Sequence, residues 1–269
     1  MSQGAPVTDS PTNPPSAPLL SVDGGVATLT LNRPAHRNRL EAGDLRSLLE
    51  QFERINADLA IRVLVLTANT QGQPRPVFCA GYHLGNFGDE GSDPQLFERV
   101  ANALASLRPI TVCALNGSVY GGATDLMLAC DLSVGLTGTE FRMPATALGL
   151  HYYPGGLQRY VARLGLSGAK RAFLTARPFT AEMLQRMGCF EALVGPDDLG
   201  ATVHQLVGEI VDLAPLAVQA TKQSLNEMAG GQANLEAMRE REALTSMSED
   251  FVEGRLAFQE KRKARFAGR

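Results

Sequence analysis

Asp125, three residues after the pair Gly121-Gly122, and the doublet Tyr152-Tyr153, just ahead of Gly155-Gly156, are the residues here whose types and spacing can do chemistry. The run Ile110-Thr111-Val112-Cys113-Ala114-Leu115 is rich in β-branched residues and short enough for a buried strand, and Leu126-Met127-Leu128-Ala129-Cys130 suits a buried helix. Gly121-Gly122 therefore falls at a strand-to-helix turn, where backbone N–H groups point outward and the helix dipole favours negative charge. Such a turn can hold an anion or a developing oxyanion, and it can equally be a tight connection. Asp125 lies in the first helical turn, a position the dipole favours for any carboxylate. The tyrosines offer hydroxyls for hydrogen bonding or proton donation, or two rings packing beside a glycine turn. His151 is near enough to them in sequence to act instead, whereas His36 and His83 read as polar loop residues and His204 as a helix-surface residue.

A second small-residue turn, Val77-Phe78-Cys79-Ala80-Gly81-Tyr82-His83-Leu84, follows the strand pattern Arg62-Val63-Leu64-Val65-Leu66-Thr67. Together with Asn116-Gly117-Ser118-Val119-Tyr120-Gly121-Gly122-Ala123-Thr124-Asp125-Leu126 it resembles the crotonase superfamily, the enoyl-CoA hydratases and isomerases. That family's pattern is F-C/S-A-G-x-D-L followed by N-G-x-x-x-G-G-G-x-E-L. The resemblance extends to Leu31-Asn32-Arg33-Pro34 upstream and Ser248-Glu249-Asp250-Phe251-Val252-Glu253-Gly254 downstream, so it spans nearly the whole chain after residue 18.

The resemblance implies an α/β fold, a crotonase-like spiral of repeated ββα units with a C-terminal helical region. It implies an acyl-CoA thioester substrate whose carbonyl is held, as it becomes an enolate, by the backbone N–H groups of Tyr82 and Gly122. Asp125 matches the first catalytic glutamate; it is shorter by one C–C bond, about 1.5 Å, and Asp occurs here in some dienoyl-CoA isomerases. The second glutamate of hydratases, in F-G-x-P-E, is replaced in Phe141-Arg142-Met143-Pro144-Ala145 by Ala145. Syn hydration needs two carboxylates around one water, one as base and one as acid, so ordinary hydration is not expected. Tyr152 aligns with the catalytic tyrosine of methylmalonyl-CoA decarboxylases, and Tyr153 with the second acid of dienoyl-CoA isomerases. Three readings follow: a hydratase/isomerase-like enzyme using Asp125, a malonyl-type decarboxylase using Tyr152, and a non-catalytic acyl-CoA carrier. By the same resemblance, backbone groups of Cys79 and Ala80 meet the CoA adenine and Leu84 lines the pantetheine channel. The loop His36-Arg37-Asn38-Arg39-Leu40 is similar to the family's R-N-A-L, and Arg37 and Arg39 can pair with CoA phosphates or form a solvated basic loop. Beyond the CoA of the substrate no cofactor is expected.

The elements that must position these residues are legible in the patterning. Leu19 to Val22 and Val26 to Leu31 flank Asp23-Gly24-Gly25, a hairpin signal. Leu45, Leu48, Leu49, Phe52 and Ile55 make one helical face, and Leu96, Phe97, Val100, Leu104 and Leu107 another. Leu132 to Leu136 reads as a strand, and Gly155-Gly156 opens a helix with Leu157, Tyr160, Val161 and Leu164 inward. Thr180 suits an N-cap for a helix from Glu182 to Met187. Helical patterns follow over Leu199–Leu213, Leu216–Met228 and Leu235–Met247, with Ser248 capping a last helix. We divide the chain into a disordered tail at 1–17, a core at 18–195 holding the acyl-CoA site, and a C-terminal helical trimerisation region at 196–269.

A net charge of −3 over 269 residues argues against a nucleic-acid partner, and no apolar run approaches a membrane span. The four cysteines stand singly among apolar residues without metal-ligand spacing, as small buried hydrophobes in a reducing compartment. The tail has no Lys or Arg, which a transit or signal peptide needs. A cytoplasmic protein without membrane or nucleic-acid partners is expected, and by resemblance a homotrimer or dimer of trimers.

Overall fold

After an N-terminal hairpin of β1 (Leu19–Asp23) and β2 (Val26–Leu31) and a helix α1 (Ala42–Ala57), the chain winds through three strand–strand–helix turns. They are β3 (Val63–Ala68), β4 (Val77–Cys79), α2 (Leu96–Ala105); β5 (Ile110–Leu115), β6 (Ser118–Tyr120), α3 (Gly122–Ala129); and β7 (Leu132–Leu136), β8 (Glu140–Arg142), α4 (Pro154–Thr175). Then come β9 (Phe179–Thr180), α5 (Ala181–Arg186), β10 (Ala192–Val194) and helices α6 (Leu199–Val211), α7 (Pro215–Ala229), α8 (Leu235–Ser246) and α9 (Glu249–Glu260). The computed structural model describes residues 17–83, 85 and 93–269. Apart from Ala17, the tail at 1–17 lies outside the described residues.

Each turn gives its first strand to one sheet and its second to another. The larger sheet runs β1-β2-β3-β5-β7-β10, parallel except for the β1–β2 hairpin; the smaller runs β4-β6-β8-β9. This is the expected spiral of ββα units. The two-residue period of an extended strand shows in β3: Val63 and Val65 pack with Val203 and Val207 of α6, while Leu64 and Leu66 join Leu45, Leu48 and Leu104 on the other face. The larger sheet is thus covered on both sides, as parallel sheets require.

Local chemistry explains the element ends. Glu41 and Asp44 form a reciprocal cap on α1, with Glu41 N donating to Asp44 Oδ2 at 2.9 Å. Thr180 Oγ1 accepts from Met183 N to start α5, and Ser248 Oγ accepts from Phe251 N to start α9, both as the sequence indicates. The strands β6, β8 and β9 of the smaller sheet were not anticipated. They have two or three residues each, too few to show a period.

One buried ion pair fastens the C-terminal helices to the core. Lys222 Nζ on α7 donates to Asp131 Oδ2 at 2.6 Å and to the Pro109 carbonyl at 2.8 Å, while the same Oδ2 accepts from Thr111 N at 2.7 Å. Removing one partner of such a pair leaves the other charge buried alone, at about 3–5 kcal/mol. Lys222→Met should therefore lower the unfolding free energy by that amount, seen as a lower urea midpoint with the m-value unchanged; a loss below about 1 kcal/mol would show the pair to be dispensable.

Candidate active site

Two turns remote in sequence meet because glycine stands at their contact. Gly81 has φ +96° and Gly121 φ +56°, a region that side chains strain. A methyl group on Gly81 would lie 2.8 Å from the Tyr120 carbonyl oxygen, 3.4 Å from Gly121 Cα and 3.5 Å from Gly122 N. Leu40 pairs in parallel with Tyr82: Leu40 N donates to the Gly81 carbonyl and His83 N to the Leu40 carbonyl, each at 2.9 Å. In a parallel bridge that leaves the N–H of Tyr82 directed away from Leu40. Gly122 opens α3, and the first N–H groups of a helix have no acceptor within it. The structure thus brings together the turns that carry Tyr82 and Gly122.

Helix α2 closes over this contact. A methyl group on Gly122 would lie 2.6 Å from Phe97 Cζ, and the Phe97 ring stands 5.9 Å from that of Tyr82 and 6.4 Å from that of Tyr153.

One helical turn beyond Gly122, Asp125 is fully buried. Its Oδ1 accepts from Arg159 Nε at 2.8 Å, and its Oδ2 from Arg159 Nη2 and from the Tyr153 hydroxyl, both at 2.6 Å. Arg159 donates its remaining Nη1 to Asn102 Oδ1 at 2.8 Å, and the Tyr152 hydroxyl donates to that of Tyr153 at 3.0 Å. Asp125, expected to act at the substrate, has no exposed surface and is enclosed by Arg159 and Tyr153. Tyr152, the other side chain expected to be catalytic, is also buried. Its ring is 5 % exposed, stacks on Tyr153 at 4.2 Å and packs against Tyr160 and Phe173, so the packing alternative describes it. Tyr153 is the half-buried member of the pair. His151 is exposed, and so is His204 on α6.

Burial, and next the Asp125 carboxylate, pushes the hydroxyls of Tyr152 and Tyr153 well above the ordinary tyrosine range. Both are proton donors at any physiological pH. Burial opposes the Arg159 charge, but its hydrogen bonds and attraction to Asp125 prevail and raise its pKa.

The residues expected around CoA form a loop-and-strand corner. The buried Asn38 side chain donates to the carbonyls of Asn69 and Val77 and fixes the loop, leaving Arg37 exposed. Arg39 Nη2 pairs with Glu41 Oε1 at 2.9 Å, a hydrogen bond that holds the Glu41 carboxyl below its usual range; a phosphate would have to compete for it. Ala80 N donates to the Arg37 carbonyl at 2.9 Å. The Cys79 thiol is buried, donates to the Asn38 carbonyl at 2.9 Å, and is pushed up to about 12 by burial. Leu84 lies outside the described residues.

Residues 21–269 match the sequence model of the enoyl-CoA hydratase/isomerase family. The chain belongs to that family. It is 32% identical over 260 residues to the 2,3-dehydroadipyl-CoA hydratase of Escherichia coli, covering 93% of this chain and 98% of that protein. With the short-chain-enoyl-CoA hydratase of Clostridium acetobutylicum it shares 29% over 254 residues, 91% of this chain and 95% of that one. The crystal structure of enoyl-CoA hydratase from Bacillus anthracis superposes with a TM-score of 0.82 at 25% identity, covering 94% of this chain and 99% of that chain. The chain is thus an enzyme of hydratase/isomerase type with the crotonase fold.

Within this family's frame Ala145 is 4 % exposed and begins a short 3-10 turn, Ala145–Leu148, so the position expected to carry a second acid is a packed methyl group. Arg159, Asn102 and Phe97 escaped the sequence reading as site residues. Arg159 lies 34 positions from Asp125, and only its place beside the inward Tyr160 hinted at burial.

The tyrosines give a measurable signature. Tyr120, Tyr152, Tyr153 and Tyr160 all hold their protons more tightly folded than unfolded. Their contribution to stability is therefore fully present below the unfolded tyrosine pKa, about 10, and is lost as pH rises beyond it. Absorbance at 295 nm should show most of the five tyrosines silent in the native protein near pH 10.5 and ionised in urea, with unfolding free energy falling above about pH 10. Native and denatured titration curves that coincide would contradict the buried network.

Proposed function

We propose that this enzyme holds the thioester carbonyl of an acyl-CoA between the N–H groups of Tyr82 and Gly122, and moves the α-proton through Tyr153 to Asp125. The 2.6 Å hydrogen bond from Tyr153 to the buried Asp125, one helical turn from Gly122, carries this reading. As the Cα–H bond breaks, its electron pair moves to the thioester oxygen, its proton passes to the Tyr153 oxygen, and the Tyr153 proton passes to Asp125. Arg159 stabilises the ionised carboxylate before and after the transfer, so Asp125 holds the proton only briefly and gives it back through Tyr153. Backbone donors aimed at a developing oxyanion lower the barrier most when desolvated, and the Phe97 ring against Gly122 supplies that cover. Arg37, Arg39, Leu84 and the backbone of Cys79 and Ala80 receive the CoA portion, and no cofactor besides it is required. The C-terminal helical region, 196–269, joins copies of the chain into a trimer or a dimer of trimers. Its large apolar side chains Leu235, Met247, Val252 and Phe258 are exposed in the single chain, which supports such an assembly.

Ala145 argues against crotonyl-type hydration as the main reaction. A second reading, decarboxylation of a malonyl-type CoA ester, gains from the protonated Tyr152–Tyr153 pair. There the C–C bond breaks, CO2 leaves, the electron pair enters the thioester oxygen, and the α-carbon then takes the proton of Tyr153, which regains one from water. No initial base is needed.

Saturated acyl-CoA incubated in deuterated water should gain α-deuterium, read by mass spectrometry. Tyr153→Phe should slow this by roughly 10²–10⁴, whereas Tyr152→Phe should cost less than about tenfold. Exchange that survives Tyr153→Phe but is lost in a folded Asp125→Asn enzyme would mean that Asp125 meets the substrate directly. CO2 release from a malonyl-CoA ester without α-exchange of the saturated ester would favour the second reading.

A further inference from the structure

We infer that Asn102 is a positioning residue for the proton relay, acting through Arg159; the inference rests on the reading that Tyr153 and Asp125 carry the proton. A guanidinium has three nitrogen corners, and here each is committed: Nε and Nη2 to the two oxygens of Asp125, Nη1 to Asn102 Oδ1 at 2.8 Å. Two bonds to one carboxylate leave the guanidinium plane free to rock about the line joining it to Asp125. The third, to a different helix, fixes that plane. Once it is fixed, Oδ2 keeps its remaining direction for the Tyr153 hydroxyl, and the Tyr153 oxygen keeps its aim.

A second, independent feature shows that the fold makes room for this contact. Gly155, in the first turn of α4, faces Asn102: a methyl group there would lie 2.7 Å from Asn102 Oδ1 and 3.4 Å from Glu98 Oε1. Glu98 and Asn102 stand one turn apart on α2, and Glu98 Oε1 accepts from Gly155 N at 3.4 Å. The absence of a side chain at 155 thus lets two polar groups of α2 reach the start of α4, where Tyr153 and Arg159 reside. Helix α2 is also the element whose Phe97 lies on Gly122. It therefore touches both halves of the site, the backbone donors through Phe97 and the relay through Asn102.

Asn102 is exposed, whereas Asp125 is fully buried and its ion-pair partner Arg159 half-buried. Removing either member of the pair endangers folding; truncating an exposed Asn costs little stability. Asn102→Ala should therefore keep the wild-type melting temperature and acyl-CoA affinity, yet slow α-deuterium exchange at saturating acyl-CoA by about 5- to 50-fold, in keeping with the cost of misplacing a reacting group. Asn102→Asp, which still presents an oxygen to Arg159 Nη1, should recover to within about twofold of wild type. In the Tyr153→Phe background Asn102→Ala should cause no further loss, since both act on one relay. Unchanged exchange in Asn102→Ala, an effect on affinity alone, failure of Asn102→Asp to recover, or full additivity with Tyr153→Phe would each overturn the inference. A wild-type enzyme that binds acyl-CoA and exchanges no α-proton would instead overturn the relay reading itself.

Discussion

The approach of Gly81 to Gly121 and Gly122 is the contact on which the rest of the site depends. A methyl group at residue 81 would press on the Tyr120 carbonyl oxygen and the Gly121 Cα, so any side chain would part the turns that carry Tyr82 and Gly122. The spiral supplies the setting. Turns β3-β4-α2 and β5-β6-α3 are consecutive repeats, and β4 pairs with β6 in the smaller sheet, so equivalent points of successive repeats lie side by side. Gly117 helps by the same means, because a methyl group there would lie 2.6 Å from Phe78 N. Sheet pairing just before each turn thus sets where the backbone of Tyr82 and Gly122 lies.

Beside that fixed backbone, the Asp125 carboxylate is fully buried and shared between Arg159 and Tyr153. Burying an ion pair commonly fails to repay its desolvation, yet breaking one is costly; such a pair is better understood as fixing a geometry than as adding stability. What it fixes here is the hydroxyl of Tyr153. With a buried methyl group at Ala145, the titratable groups gathered here are the two tyrosine hydroxyls, chained to one carboxylate that Arg159 also holds.

The glycine turns, the helical faces and the caps at Thr180 and Ser248 were readable in the sequence because each is a local pattern. Residues 77–84 and 116–126 could be tied to one site only through resemblance. The smaller sheet was not readable, since strands as short as Glu140–Arg142 show no alternation. The ion pair escaped for a different reason. Nothing local distinguishes Arg159 from a solvated arginine; only the fold, which lays α4 across α3, reveals that it faces Asp125. The doublet Tyr152-Tyr153 stands out in the sequence, but that Tyr152 is the one packed away, against Tyr160 and Phe173, is a tertiary fact.

On the proposed relay, Asp125 meets the substrate only through Tyr153. A crystal structure of the enzyme with a saturated acyl-CoA bound tests it most directly. The thioester oxygen should then lie about 2.7–3.1 Å from both Tyr82 N and Gly122 N, with the Tyr153 hydroxyl against the α-carbon and the Asp125–Arg159 pair intact behind it. A complex in which Asp125 has left Arg159 and itself contacts the α-carbon, or in which the carbonyl lies away from both N–H groups, would contradict the account.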